Sequence, residues 1–308
     1  PISQIPRRVS GYENLDQLFD ENGFNVARAL VGTESTCVTI LEATLDLVPS
    51  PPHRALAIIG FDDVFEAADA VPQALKFKPM ALEGMDQLLV DFVLKKQLYP
   101  DDVAMLPDGH GWLIGEFGGD TPDEAADRAQ VAIDGFKDGH ATTLVRKPEQ
   151  QRKIWEVRDA ALGVTAHVPG TAEGHPGWED SAVRRDNLGQ YLRQLKALFH
   201  KYGYEQVSVY GHFGDGLIHC RIPFRLRTEE GVRAWRRFLG EAADLVVKFG
   251  GTLSGEHGDG QARAALLEKM YGRELVQAFR EFKAIWDPEG RMNPGKVVDP
   301  YPITSNLR

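Results

Sequence analysis

The stretch Pro49-Ser50-Pro51-Pro52-His53-Arg54-Ala55-Leu56-Ala57-Ile58-Ile59-Gly60-Phe61 decides the fold. Successive prolines stiffen a chain and exclude regular pairing, so a new domain is expected to start there. Beyond it, Ala55 to Phe61 reads as a strand and Asp62 to Ala70 as a helix stopped near Pro72. Trp112 to Phe117 is a second strand, Thr121 to Lys137 a helix capped by Thr121, and Ala141 to Arg146 a third strand. Strands and helices alternate with connections that permit antiparallel pairing. The expected class is α+β, a ferredoxin-like α/β sandwich with an antiparallel sheet flanked by helices.

Working outward, helical patterns run from Pro148 to Val164, Asn187 to Lys201, Glu230 to Phe249 and Ala262 to Trp286, the last with an interruption at Gly272. Asp287-Pro288-Glu289-Gly290 stops that helix with a turn. Upstream of the prolines, Val31 to Leu45 reads as a glycine-containing turn followed by a strand, because β-branched residues are frequent from Thr36 to Ile40.

Composition narrows the class. With 308 residues and 43% hydrophobic content, the chain can bury a substantial core over about two domains. A net charge of −10 argues against a polyanionic partner such as nucleic acid, which needs clustered Lys and Arg. No apolar run approaches the ~20 residues that cross a bilayer, and Pro1-Ile2-Ser3-Gln4 lacks the charged-then-apolar layout of a leader. A cytoplasmic location is expected. Cys37 and Cys220 are too few for an iron–sulfur cluster, which takes about four thiolates. Cys220 directly follows His219, points to the opposite strand face, and is expected to be a buried structural thiol.

The chemistry concentrates in Tyr210-Gly211-His212-Phe213-Gly214-Asp215-Gly216-Leu217-Ile218-His219 and Ser254-Gly255-Glu256-His257-Gly258-Asp259-Gly260. If Asp215-Gly216 centres a two-residue hairpin turn, His212 pairs with His219 across the strands, and the two imidazoles can grip one divalent ion. Glu256 is the candidate third ligand, since it lies in a second glycine-rich segment where the backbone can approach a shared cleft. His257 is then left for proton transfer. Asp215 and Asp259, each before a glycine, read as turn residues.

These segments, followed by Asp287-Pro288-Glu289-Gly290-Arg291-Met292-Asn293-Pro294-Gly295-Lys296, resemble the C-terminal domain of FAD-linked oxidases of the vanillyl-alcohol-oxidase type. Gly177 to Val183 and the tail after Lys296 look more like the large FAD/iron–sulfur fusion branch. The resemblance implies FAD-dependent oxidation of a D-2-hydroxy acid such as D-lactate, glycolate or D-2-hydroxyglutarate, with the metal on His212, His219 and Glu256 and His257 as proton acceptor. Zinc suits the nitrogen ligands, with manganese or iron as alternatives. It implies that Arg158 binds the substrate carboxylate. Val31-Gly32-Thr33-Glu34-Ser35-Thr36 is similar to a turn that lies against the cofactor, so Gly32, Thr33, Glu34, Thr36 and Asn293 are the implied FAD contacts. Ser35 stands where the family has Gly, and Trp178 appears where many members have Lys.

The implied organisation is a remnant of the FAD-binding domain over 1–50, a substrate or cap domain with the metal site over 51–286, and a return segment toward the flavin over 287–308. Its implied partners are the rest of the FAD-binding domain and an iron–sulfur domain of a longer parent polypeptide. The chain alone is expected to bind FAD weakly and to turn over little. Two other readings stay open from the residues themselves: a flavin-free metallohydrolase using the same ligands, and a non-catalytic interaction module that binds no metal.

Overall fold

The computed structural model describes residues 5–307; Pro1-Ile2-Ser3-Gln4, read above for a leader, and Arg308 lie outside the described residues. Contacts group the chain into two compact units. The larger is Val48–Glu179 with Val183–Phe224; the smaller takes in the described parts of Pro1–Leu47 and Arg225–Arg308 together with Asp180–Ala182. Residues 225–286 thus group with the N-terminal stretch. The Tyr12 ring meets Phe279 and Phe282 edge-on at 5.5 and 5.4 Å, tying the first residues to the C-terminal helix.

Seven strands occur among the described residues: β1 (His53–Phe61), β2 (Ala81–Asp86), β3 (Gly111–Gly119), β4 (Thr142–Val145), β5 (Ser181–Ala182), β6 (Val209–Gly211) and β7 (Leu217–Cys220). In the larger unit they order as β4-β1-β3-β2-β6-β7, antiparallel at β1/β3, β1/β4, β2/β3, β2/β6 and β6/β7. The α+β antiparallel architecture is as expected. Alternate residues of β1 point to opposite faces and meet different layers. Leu56 and Ile58 pack with Met85, Trp112, Ile114 and Tyr210. Ala55 and Ala57 face Ala125, Ala126, Ala129 and Ala132 of the helix Pro122–Asp134, whose small side chains let it lie close to the sheet. Thr121 caps that helix through Glu124 N–H at 3.2 Å, as its sequence predicts.

Asp86 caps the next helix, Gln87–Lys95, by accepting from Leu89 N–H at 2.9 Å. The same carboxylate takes Ser208 Oγ–H and Val209 N–H, both at 2.8 Å, and so pins the start of β6 to the end of β2. Burial pushes its pKa up to about 6 against the pull of these hydrogen bonds.

In the smaller unit, the helices Glu229–Lys248 and Leu267–Trp286 dominate, and the second breaks at Gly272 (φ 75°), as the sequence suggests. The expected Thr36–Ile40 strand does not form. Residues 38–50 carry no regular structure, and Ile40, Leu41, Leu45 and Leu47 are 66%, 94%, 78% and 95% exposed. A strand needs a neighbour for its N–H and C=O groups, and none of the described strands pairs with this segment. Among the described residues, no helix is long and apolar enough to cross a membrane.

Candidate functional site

The turn joining β6 to β7 differs from the expected hairpin. Tyr210, not His212, stands opposite His219. The connection is a helical turn over Phe213–Asp215 closed by Gly216 in the left-handed region (φ 72°). Asp215 and Leu217 N–H donate to His212 O at 2.8 and 3.2 Å, and Gly216 N–H donates to Phe213 O at 2.9 Å. Phe213 is the cause. Its fully buried ring fills the space over Gly84, where a Cβ would come within 2.1 Å of it, and this draws the turn down onto β2. His212 and His219 become diagonal neighbours rather than a direct pair. Their rings still lie 5.4 Å apart at 84°, so the turn brings the two imidazoles together.

Glu83, on β2, organises His212. Its Oε1 lies 2.7 Å from His212 Nδ1, while Oε2 accepts from Arg158 Nε at 3.0 Å and Nη2 at 2.7 Å. Burial alone would raise the Glu83 pKa, but the His212 hydrogen bond and the Arg158 charge together hold it below the ordinary carboxylate range. The Arg158 guanidinium also covers the Tyr210 ring at 5.1 Å. Arg158 is therefore a buried member of a network rather than a surface ion pair. Its Nη1 takes no part in the contact with Glu83.

Sequence reasoning missed Glu83. The available signal was a carboxylate inside the apolar run Leu82-Glu83-Gly84-Met85, since an acid in a buried strand requires a partner. It missed Arg221 as well. Arg221 lies just past the end of β7, and its Nε is buried without a hydrogen-bond partner among the described residues. Cys220 gives its thiol to Trp178 O at 2.6 Å, fitting the structural role expected of it. Trp178 is a core residue, its indole N–H 3.3 Å from Tyr191 Oη.

Glu256 and His257 lie in the smaller unit. Glu256 pairs with Arg7, and His257 Nε2 is 3.5 Å from Glu256 Oε1. Asp180, another residue missed from sequence, builds their loop. Fully buried and held at φ 77°, it accepts from Ser254 Oγ–H and from the consecutive N–H groups of Gly255, Glu256 and His257, the last at 2.8 Å. Such a cradle fixes both side chains by fixing their backbone.

The residues expected beside FAD form one cluster in the same unit. Gly32, Glu34 and Ser35 take left-handed φ values of 85°, 53° and 57°, so Ser35 adopts the conformation that glycine tolerates best. Thr33 Oγ1–H donates to Leu30 O at 2.9 Å, and Thr36 Oγ1–H to Thr33 O at 2.6 Å, closing the turn inward. The Glu34 carboxylate accepts from Asp259 and Gly260 N–H at 2.7 and 2.8 Å, and Asn293 Nδ2–H donates to Glu34 O at 2.7 Å. The 32–36 turn, the 258–260 loop and the return segment thus meet. Asp259 is a buried turn residue that accepts from Gly11 N–H at 2.6 Å. Burial, with the Glu34 charge beside it, pushes its pKa up to about 7.

Comparison with known proteins follows this geometry. Residues 50–297 match the family described as FAD linked oxidases, C-terminal domain. The chain is 29% identical to D-2-hydroxyglutarate dehydrogenase of Haemophilus influenzae, over 100% of its own length and 32% of that protein. It is 28% identical to glycolate oxidase subunit GlcD of Bacillus subtilis (90% and 58%), and 30% identical to D-lactate dehydrogenase of Archaeoglobus fulgidus (91% and 59%). The solved structure of p-cresol methylhydroxylase shares the fold, with a TM-score of 0.57 at 16% identity, covering 84% of this chain and 55% of that one. The chain spans about a third of the length of the D-2-hydroxyglutarate dehydrogenases it matches.

Proposed function

The chain belongs to the family of FAD-linked oxidases, C-terminal domain, and on that premise we propose that it supplies the substrate-binding part of an FAD-dependent D-2-hydroxy-acid dehydrogenase. Residues 1–50 are in this reading the end of the FAD-binding domain. The exposed apolar side chains of Ile40, Leu41, Leu45 and Leu47 support it, because an uncovered apolar segment suits packing against the rest of that domain. Gly32, Thr33, Glu34, Thr36 and Asn293 shape the surface that faces the flavin. An iron–sulfur domain of the parent polypeptide is the proposed partner; Cys37 and Cys220, both buried, serve the fold.

The observation that carries the reading is the imidazole pair with its buried carboxylate. Two rings 5.4 Å apart, one anchored through Nδ1, are a donor set fitted to a divalent ion. His212 and His219 supply two nitrogens, and Glu256 is the proposed third ligand. When bound, the ion supplies Lewis acidity at the substrate hydroxyl and FAD supplies a two-electron acceptor for the α-hydrogen. His257 accepts the hydroxyl proton at a ring nitrogen. Arg158, whose remaining donor nitrogen is Nη1, and Arg221 hold the substrate carboxylate through charge-assisted hydrogen bonds. Zinc is favoured by the nitrogen ligands.

The test is a screen of D-2-hydroxy acids against the complete parent polypeptide, loaded with FAD and zinc, with a dye as electron acceptor. Dye reduction by D- but not L-2-hydroxy acids, abolished by chelation, is the expected result. Metal-dependent ester or amide hydrolysis with no dye reduction would replace this proposal with a hydrolase.

A further inference from the structure

We infer that Glu83 is the positioning residue of the imidazole pair: it fixes His212 as the Nδ1–H tautomer, places the lone pair on Nε2, and is itself held by Arg158. The inference deepens the metal reading above and rests on it for its functional meaning. Its geometry stands without it, and all of it lies within the larger unit.

At 2.7 Å, His212 Nδ1 and Glu83 Oε1 need a proton between them. An ionised carboxylate only accepts, so that proton is on Nδ1, and in the neutral ring Nε2 carries the lone pair. A hydrogen bond to one ring nitrogen settles what the other can ligate. Glu83 in turn cannot swing away. Oε2 takes two donors from one guanidinium, at 3.0 and 2.7 Å, and Glu83 and Arg158 are 6% and 8% exposed. The neighbouring residues lock the same register, since Gly84 leaves the space for the Phe213 ring and Phe213 follows His212 directly.

Glu83→Gln separates positioning from packing. The amide keeps the size of the carboxylate, but its single oxygen goes to the two donors of Arg158, turning NH₂ toward His212. Nδ1 must then accept, which moves the ring proton to Nε2 and blocks ligation there.

The experiment is nitrogen-15 NMR of the full chain labelled at histidine, treated with chelator, with the His212 signals assigned by difference against His212→Asn. Zinc titration calorimetry of wild type and Glu83→Gln accompanies it. Expected are an Nδ1–H tautomer for wild-type His212, an Nε2–H tautomer in Glu83→Gln, and zinc binding weakened about 10- to 100-fold with cooperative unfolding retained. A wild-type Nε2–H tautomer, or an unchanged tautomer and unchanged zinc affinity in the variant, overturns the inference. If Glu83→Gln does not fold, the wild-type tautomer decides alone. If wild type binds no zinc while the tautomers behave as expected, the metal reading falls and the positioning role stays.

Discussion

Glu83 in the larger unit uses its oxygens on side chains, His212 Nδ1 and the Arg158 fork, whereas Asp180 in the smaller unit collects Ser254 Oγ–H and three successive backbone N–H groups. The first carboxylate orients one ring on an existing sheet. The second creates the loop on which Glu256 and His257 stand. A sheet supplies backbone position by itself, so its acid is left to tune side-chain chemistry; a glycine-rich loop supplies no such position, and its acid must provide it.

The difference predicts unequal fragility. Asp180→Ala leaves four donors without their charged acceptor in a buried place, and should cost about 4 kcal/mol of stability in urea unfolding. Hydrogen exchange should quicken at Gly255, Glu256 and His257 while β1 and β3 stay protected. A loss below about 1 kcal/mol would mean that the loop holds itself, and the contrast with Glu83 would disappear.

Gly216→Ala tests whether the turn in the larger unit is as dependent on its backbone. A Cβ there meets Val183 O at 2.0 Å, and φ is 72°. The expected cost is about 2–3 kcal/mol, from the left-handed strain plus the shift needed to relieve the contact. His212 should also move relative to His219, weakening zinc binding by a larger factor than the stability loss explains. Unchanged zinc affinity would show that β6 and β7, not the turn, set the ring separation.

A third comparison is electrostatic. Asp86 in the larger unit is raised from 3.8 to about 6, and Asp259 in the smaller from 3.8 to about 7, both chiefly by burial. A carboxyl whose folded pKa lies above its unfolded value binds more protons when folded, so its favourable contribution is complete below pH 4 and declines as pH rises through the folded value. Both groups should lower stability between pH 4 and 6, and chiefly Asp259 between 6 and 7. Each contributes a slope of at most about 1.4 kcal/mol per pH unit. Around Asp259 stand Gly11 N–H, Ser10, Arg263 and Glu34, the last also raised by burial and acting in the same direction. The fall of the urea midpoint with pH should become shallower between 4 and 6 in either Asp86→Asn or Asp259→Asn, and above pH 6 only in Asp259→Asn; a slope unchanged by either substitution refutes that assignment.

These contrasts mark what the sequence could tell. The strand Ala55 to Phe61, the Thr121 cap and the break at Gly272 were legible because propensity, capping and backbone freedom act within a few residues. The proximity of His212 and His219 was legible from the glycine turn, but their register was not, because it depends on Phe213 meeting Gly84 from a distant strand. Thr36 to Ile40 has the composition of a strand and no partner among the described strands, so local preference misled. Glu83 and Asp180 stayed hidden for the same reason as the register: their partners are 129 and 74 to 77 positions away.

The smallest expected effect separates two neighbours in the cofactor-side turn. Glu34 and Ser35 share nearly the same left-handed backbone, at φ 53° and 57°. Any residue with a Cβ pays strain there, and glycine avoids it at a smaller entropic cost. Ser35 is exposed and its side chain makes no hydrogen bond among the described residues, so Ser35→Gly should stabilise by about 0.5 kcal/mol. Glu34 carries the same strain but gives its carboxylate to Asp259 and Gly260 N–H, so Glu34→Gly should destabilise by about 1–2 kcal/mol despite the same backbone relief. Paired urea titrations of the two variants check this. If both stabilise, the link between the 32–36 turn and the 258–260 loop is not holding the smaller unit together; if both destabilise, the left-handed strain is smaller than the flexibility that glycine adds to the unfolded chain.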